Sequence, residues 1–272
     1  MIIIDMNQIM ISNLMVQLKN QELNVDLARH MVLSSLFSYE KQYGEEYGEV
    51  VLAYDSKHYW RRKEFPYYKG TRKKDRQKSS LDWNEIFELL NKIRDEIRDH
   101  MPYKVVEVDG AEADDVIASL VRDQAMRNIR LQNNMQPAKK VLILSGDKDF
   151  VQLQRYKFVN QYNPIQKKFM NGIDPKVYLL EHIIKGDRGD GIPNFLSDDD
   201  TFVSEKRQRP LSKVKLARWI DMSPEEFCDE KTMQNYERNR KLIDFTCIPD
   251  QVYTDIINTF ESIDPNPRGK MY

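Results

Sequence analysis

The sequence predicts an α/β fold, with a mostly parallel central sheet, helices on both faces and a helical subdomain after it. Three observations carry this. Short apolar runs rich in β-branched residues alternate with helical patterns, as in βαβ units. The runs are apolar without a break, as expected of strands covered on both faces. Beyond about residue 175 the strand signals fade and helical patterns continue.

Four runs read as parallel strands: IIID (2–5), VVLAYD (50–55), YKVVEVD (103–109) and KVLILS (140–145). KFVNQYN (157–163) reads as a fifth strand nearer an edge. Residues 23–40 place Leu27, Met31 and Leu36 at helical spacing. In 82–98, Asp82 and Glu85 form a capping box ahead of a stripe made by Trp83, Ile86, Phe87, Leu90, Ile93 and Ile97. Residues 112–127 put Val116, Ile117, Leu120 and Val121 on one face, and DPKVYLLEHIIKGD opens with an Asp174 cap and Pro175 at the first helical position. The expected division is an α/β core over 1–175 and a helical subdomain over 176–272, with 57–80 a mobile excursion beside the sheet.

A chain of 272 residues can bury a sizeable core without crosslinks. Two cysteines, Cys228 and Cys247, point to a reducing cytoplasm rather than a disulfide framework. The start MIIIDMNQIMI lacks the basic opening of a signal peptide, and no stretch is long enough for a membrane span. The balance of 42 basic against 43 acidic residues says nothing about partners, but their distribution does. From Lys57 to Lys78 there are ten Lys/Arg and two acids, and 204–218 carries six against one, a segregation that suits a polyanion.

Acidic residues recur where the strands end. Asp5 and Asp55 close the first two strands; Glu112, Asp114 and Asp115 follow the third; Asp147 and Asp149 follow the fourth. Asp187 and Asp190 lie in KGDRGDGIPNF, three residues apart. In an open α/β sheet ligands bind beyond the carboxyl ends of the strands, so these acids would share a cleft. Two like charges about 5 Å apart repel by roughly 3 kcal/mol at an effective dielectric near 20. Cations would relieve that cost, and oxygen-only ligands select Mg²⁺ or Mn²⁺. Any one of these acids also suits a helix cap or a turn; five sites in step with the strand ends favour metal. Two divalent ions held by carboxylates are the equipment of phosphodiester hydrolysis, with Asp147 and Asp149 as the expected catalytic pair. In 57–80, Arg61, Arg62, Lys69, Arg72, Lys73 and Lys74 are candidate phosphate contacts, and Trp60, Phe65 and Tyr68 are either stacking surfaces for bases or packing.

IIIDMNQI, AYDSKHYWRRKEFPYYKGTR, EVDGAEADDVIASL, LILSGDKDFVQL and IIKGDRGDGIPNF, in that order, resemble the successive motifs of the structure-specific 5′-nucleases. That family includes flap endonucleases and the 5′-nuclease domains of bacterial DNA polymerase I. YWRR, MPYKVVEVD and LIDF…IPD…PRGKMY are similar to its ribonuclease H branch from T-even bacteriophages. The resemblance spans essentially the whole chain. It implies a PIN-like core and a 5′→3′ exonuclease and flap endonuclease that removes lagging-strand primers with two Mg²⁺ (or Mn²⁺). By motif, Asp5, Asp55, Asp114 and Asp147 match the acids of a first ion, with Glu112 and Asp115 close by. Asp149, Asp187 and Asp190 match those around a second. Lys69 matches an active-site lysine and Arg72 a phosphate-binding arginine, and 57–80 an arch that admits single-stranded 5′ ends. The implied substrates are branched or flap DNA and RNA–DNA hybrid, bound by a helix-hairpin-helix-like region of the C-terminal subdomain. A single-stranded-DNA-binding protein and a sliding clamp are candidate partners of a monomer in a bacterial host cytoplasm.

The match has departures. Where relatives carry a Gly-rich hairpin, this chain has Gly191 alone and inserts Asp198, Asp199 and Asp200, which questions a potassium site and makes 204–218 the expected duplex contact. The phage relatives continue past PRGKMY, so a partner-binding tail would lie beyond it. Two other readings stand beside the nuclease: a fork-binding accessory that does not cut, and a Mg²⁺-dependent phosphatase, although Asp5 is followed by Met6 and Asn7 rather than a second nearby aspartate. There is no Gly-x-x-x-x-Gly-Lys loop for a P-loop ATPase.

Overall fold

A computed structural model describes residues 1–18 and 23–265, with the side chains of 73–75 outside the description. The segment PRGKMY therefore lies outside the described residues. In chain order the elements are β1 (Ile2–Asp5), α1 (Met6–Leu18), α2 (Val25–Tyr47), β2 (Val50–Ala53), α3 (Trp60–Glu64), α4 (Arg72–Gln77), α5 (Trp83–His100), β3 (Lys104–Val106), α6 (Ala113–Asn133) and β4 (Val141–Leu144). A 3₁₀ helix (Lys148–Arg155) leads to β5 (Val159–Asn163), β6 (Lys168–Phe169), α7 (Pro175–Lys185), α8 (Lys213–Trp219), α9 (Pro224–Phe227), α10 (Glu230–Ile243) and α11 (Asp250–Ser262).

The sheet order is β3-β2-β1-β4-β5-β6, parallel throughout except for β6. The expected α/β class holds, and each predicted strand is present. β1 is central and buried at every position, pairing Ile2 with both Val50 and Leu142. From β1 the chain steps outward to β2 and β3, then returns through α6 to β4 on the other side of β1. With right-handed crossovers, that reversal puts α6 on the face opposite α1, α2 and α5. It also makes the gap between the ends of β1 and β4 the switch point of the sheet.

Some elements depart from expectation. α2 runs to Tyr47, well beyond residue 40, and α1 directly follows β1 without a turn. On α5 the buried stripe is Ile86, Leu89, Leu90, Ile93 and Ile97; Phe87 is 38% exposed. β5 is one strand in from the edge, because β6 folds back antiparallel against it.

Two compact units emerge: residues 1–57, 83–172 and 250–272 form one, and 58–82 with 173–249 the other. This differs from the division at 175 in two places. α11 belongs to the sheet unit, where Ile256 and Phe260 are buried, Lys104 donates to the Phe260 carbonyl, and Arg127 pairs with Glu261 at 2.7 Å. The aromatic half of 57–80 is not a free excursion: Phe65 and Tyr68 join Ile184, Phe195 and Tyr236 in the second unit's core, and Trp60 is 5% exposed. Rings that bury this much apolar area are worth more in a core than in water, so the packing reading of Trp60, Phe65 and Tyr68 replaces base stacking.

Candidate active site

Asp5 is the last residue of β1, and the register sets Ile4 against Leu144, so Asp5 and Ser145 leave neighbouring strands together. The Ser145 hydroxyl donates to Asp5 Oδ2 at 2.9 Å and accepts the Asp147 N–H at 3.1 Å. One buried hydroxyl thus ties the acid that ends β1 to the acid that follows β4. The other Asp5 oxygen accepts the Gln8 N–H at 3.2 Å, and Asp147 Oδ1 accepts the Asp149 N–H at 2.9 Å. Gln161, on β5, donates to the carbonyls of Ser145 at 3.1 Å and Asp147 at 2.5 Å, which fixes the loop between strand and 3₁₀ helix. Gly146 leaves room there for the Asn163 amide, which a Cβ would meet at 2.7 Å from Nδ2 and push aside.

On the other side of β1, Asp55 lies two residues past β2. Its Oδ1 accepts the Ala113 N–H at 2.7 Å, and Ser56 N–H donates to the Ala111 carbonyl at 3.0 Å. These bonds draw the start of α6, with Asp114 half-buried in its first turn, to the end of β2. Glu112 and Asp115 form a capping box, and the Glu112 N–H donates to Asp115 Oδ2 at 3.0 Å. Asp115 is 0% exposed. One oxygen of its carboxylate caps the helix. Asp5, Asp55, Asp114, Asp147 and Asp149 therefore sit at one edge of the sheet, on the ends of three adjacent strands and the helix between them.

Backbone N–H and hydroxyl groups are among the donors to Asp5, Asp55 and Asp147, and neutral donors of this kind orient a carboxylate without cancelling its charge. An all-carboxylate set of this kind fits a hard divalent cation. Sequence reading missed Gln8, Ser145 and Gln161. The signal available was Gln161, an amide inside a predicted strand, here 1% exposed.

The second unit carries the remaining candidates. Asp187 follows α7, where Gly186 (φ 66) reverses the chain and Ile192 N–H returns to the Asp187 carbonyl at 2.7 Å. The His182 ring nitrogen Nε2 lies 3.2 Å from Asp187 Oδ2. Burial opposes ionisation of Asp187, but bonds from His182 and from the Asp190 and Gly189 N–H groups outweigh it and hold its carboxyl below the usual range. The Asn239 side chain in α10 staples this loop, donating to the carbonyls of Ile183 and Pro193 at 2.8 and 2.9 Å.

Asp190 accepts from Tyr68 Oη at 2.7 Å and Arg72 Nη2 at 2.6 Å, with Lys69 Nζ 3.7 Å away. Lys69 sits at φ 53, a left-handed conformation that costs a non-glycine residue roughly 1 kcal/mol. Arg61 is 3% exposed and donates through Nε to the Leu242 carbonyl, so it supports the fold rather than meeting a phosphate. Arg62 is exposed, its guanidinium 5.3 Å from the Tyr59 ring. Lys73 and Lys74 lie in α4, and their side chains are outside the description. The inserted acids are each paired: Asp198 with Lys231, Asp199 with Arg238 and Asp200 with Lys206.

The family model for the 5′-3′ exonuclease N-terminal, resolvase-like domain matches residues 1–179, and that for the C-terminal part of T4 RNase H matches 174–272. The chain belongs to the 5′-3′ exonuclease family. Against the ribonuclease H of Enterobacteria phage T4 it is 33% identical over 281 residues, covering 99% of this chain and 89% of that one. A 5′-3′ exonuclease of Buchnera aphidicola (subsp. Acyrthosiphon pisum) is 30% identical over 155 residues, 53% of this chain and 47% of its own. The T5 D15 protein crystallised with metal ions superposes at a TM-score of 0.61 with 17% identity, covering 95% of this chain and 98% of that one. A pseudo-enzyme-product complex of the T5 D15 flap endonuclease with DNA and metal ions gives 0.61 and 17%, covering 96% and 99%. At that identity the likeness speaks for the fold, which is the PIN-like core expected of this family.

Proposed function

We infer that this 5′-3′ exonuclease family member is a divalent-metal-dependent 5′-nuclease. It hydrolyses phosphodiesters near the 5′ ends of RNA or DNA in duplex and flap substrates, and its task is removal of lagging-strand primers. The observation that carries this is the Ser145 hydroxyl holding Asp5 and Asp147 together at the switch point, with Asp55 fixed on the adjacent strand end.

Asp5, Asp55, Asp114 and Asp147 would hold a first Mg²⁺ or Mn²⁺, with Glu112 beside them. The motif resemblance gives Asp149, Asp187 and Asp190 to a second ion. Such ions make water a better nucleophile at neutral pH and stabilise charge on phosphate oxygens. The protein's own groups supply the rest. Lys69 offers donors to the charge that develops on the phosphate, and Arg72 binds the same group. Arg207, Arg209, Lys213, Lys215 and Arg218 are exposed, with no ion pair described for them, and would follow a duplex backbone. The start of that stretch is anchored: Gln208 Oε1 accepts the Asn194 N–H at 2.7 Å, and Arg209 N–H donates to Ser197 Oγ at 2.9 Å.

Branched or flap DNA and RNA–DNA hybrid are the proposed substrates. The proposed setting is a bacterial host cytoplasm, acting as a monomer beside single-stranded-DNA-binding protein and a sliding clamp. No described helix is long and apolar enough to cross a membrane. A 5′-labelled flap incubated with Mg²⁺ should yield short labelled products, and EDTA should stop their formation. A flap that is bound yet stays whole under both Mg²⁺ and Mn²⁺ would instead mark a fork-binding accessory. Turnover of a small phosphomonoester alone would mark a phosphatase.

A further inference from the structure

We propose that Asp190 is a positioning residue for Lys69 and Arg72, and not a ligand of the second ion. This rests on the 5′-nuclease reading and changes the role that the motif resemblance gives Asp190. Three side chains converge on its carboxylate. Tyr68 Oη donates to Oδ2 at 2.7 Å, Arg72 Nη2 to Oδ1 at 2.6 Å, and Lys69 Nζ stands 3.7 Å from Oδ1. Both oxygens are therefore engaged, one by a charge-assisted bond. A divalent ion bound directly to the same oxygens would be pushed away by the ammonium and the guanidinium.

The backbone repeats the arrangement. Lys69 N–H donates to the Asp190 carbonyl at 2.7 Å, and Arg72 Nε to the Gly189 carbonyl at 3.3 Å. Gly191, at φ 74, lies so close to the turn that a Cβ would be 2.9 Å from the Tyr67 carbonyl oxygen. The Lys69 ammonium lies 5.1 Å from the Tyr68 ring and 5.5 Å from Tyr59, and its side chain is 10% exposed. Ring, ring and carboxylate leave this lysine little freedom, whereas the Arg72 side chain is 47% exposed. One carboxylate facing two cations leaves a net positive charge, suited to a single phosphate group.

The test combines Mn²⁺ binding to DNA-free protein, counted by electron paramagnetic resonance, with kcat and KM on a 5′ flap. Asp190→Asn should bind as many Mn²⁺ as the wild type. Its kcat should fall about 10²-fold, as expected when reacting groups lose alignment, with KM little changed. On a Lys69→Ala background, the same change should cost less than about 3-fold more, because the two act through one contact. Asp147→Asn, run in parallel, should lose Mn²⁺; full retention there refutes the metal reading itself. If Asp147→Asn loses Mn²⁺ and Asp190→Asn loses it too, or multiplies with Lys69→Ala, Asp190 is an ion ligand and the proposal is overturned. Should Asp190→Asn unfold, Tyr68→Phe removes one donor while keeping the carboxylate. It should lower kcat several-fold with the Mn²⁺ count intact, and an unchanged kcat would overturn the proposal.

Discussion

Two sets of aspartates, those at the strand ends and those around the inserted loop of the helical unit, differ in the donors that reach them. At the sheet edge, Asp5, Asp55 and Asp147 accept bonds from the Ser145 hydroxyl and from the N–H groups of Gln8, Ala113 and Asp149. In the helical unit, Asp190 meets Arg72 and Lys69, Asp198 meets Lys231, Asp199 meets Arg238, and Asp200 meets Lys206. Neutral donors aim a carboxylate and leave its charge to attract a cation. Cationic donors spend that charge on structure. The same residue type thus serves two purposes, and the donor tells them apart.

Four experiments probe this contrast. The largest effect belongs to the sheet edge: Asp147→Asn should cut flap cleavage by at least about 10³-fold, since a bound ion is worth several kcal/mol of charge stabilisation. Flap binding in EDTA should persist, and normal cleavage would remove Asp147 from the site. In the helical unit, Arg238→Ala should cost about 2 kcal/mol of stability in a denaturant titration, because it removes a mostly buried guanidinium that pairs with Asp199 and donates to the Pro193 carbonyl at 3.1 Å. A loss under 1 kcal/mol would show those pairs to be ornamental. Ser145→Ala should weaken Mn²⁺ binding about 10- to 100-fold with the fold intact, and Ser145→Thr, which keeps the hydroxyl, should recover part of it. Unaltered Mn²⁺ affinity in the alanine variant would mean that Asp5 and Asp147 need no tie. The smallest effect is expected from Lys213→Ala with Lys215→Ala. Duplex binding should weaken, and the slope of log affinity against log salt should fall by roughly 1 per lost phosphate contact. A slope that stays put would place the duplex elsewhere.

Much of the fold was legible because its signals are local. A short apolar run rich in β-branched residues favours a buried strand, so β1, β2 and β4 could be read directly, and Asp174 with Pro175 announced α7. Side-chain burial on mixed segments was harder. Phe87 and Leu89, about 200° apart on α5, border the buried stripe on opposite sides, and periodicity alone chose the wrong border. The aromatics of 57–80 looked available because their neighbours are basic. Their partners, Ile184, Phe195 and Tyr236, lie more than a hundred residues away. α11 was assigned to the helical part by its place in the sequence, yet its apolar face is shared with α6.

The site divides in the same way. Which residues carry negative charge, and that they follow strands, is written in the order of residues, because strand ends and turn residues are set by near neighbours. Which oxygens stay open to a cation depends on the donors that reach them across the sheet or from another helix. Asp114 and Asp115 are adjacent and chemically identical, yet one is half-buried while the other is fully buried and caps the helix. Only the folded chain could separate them, since a hydrogen bond depends on distance in space and not on distance along the chain.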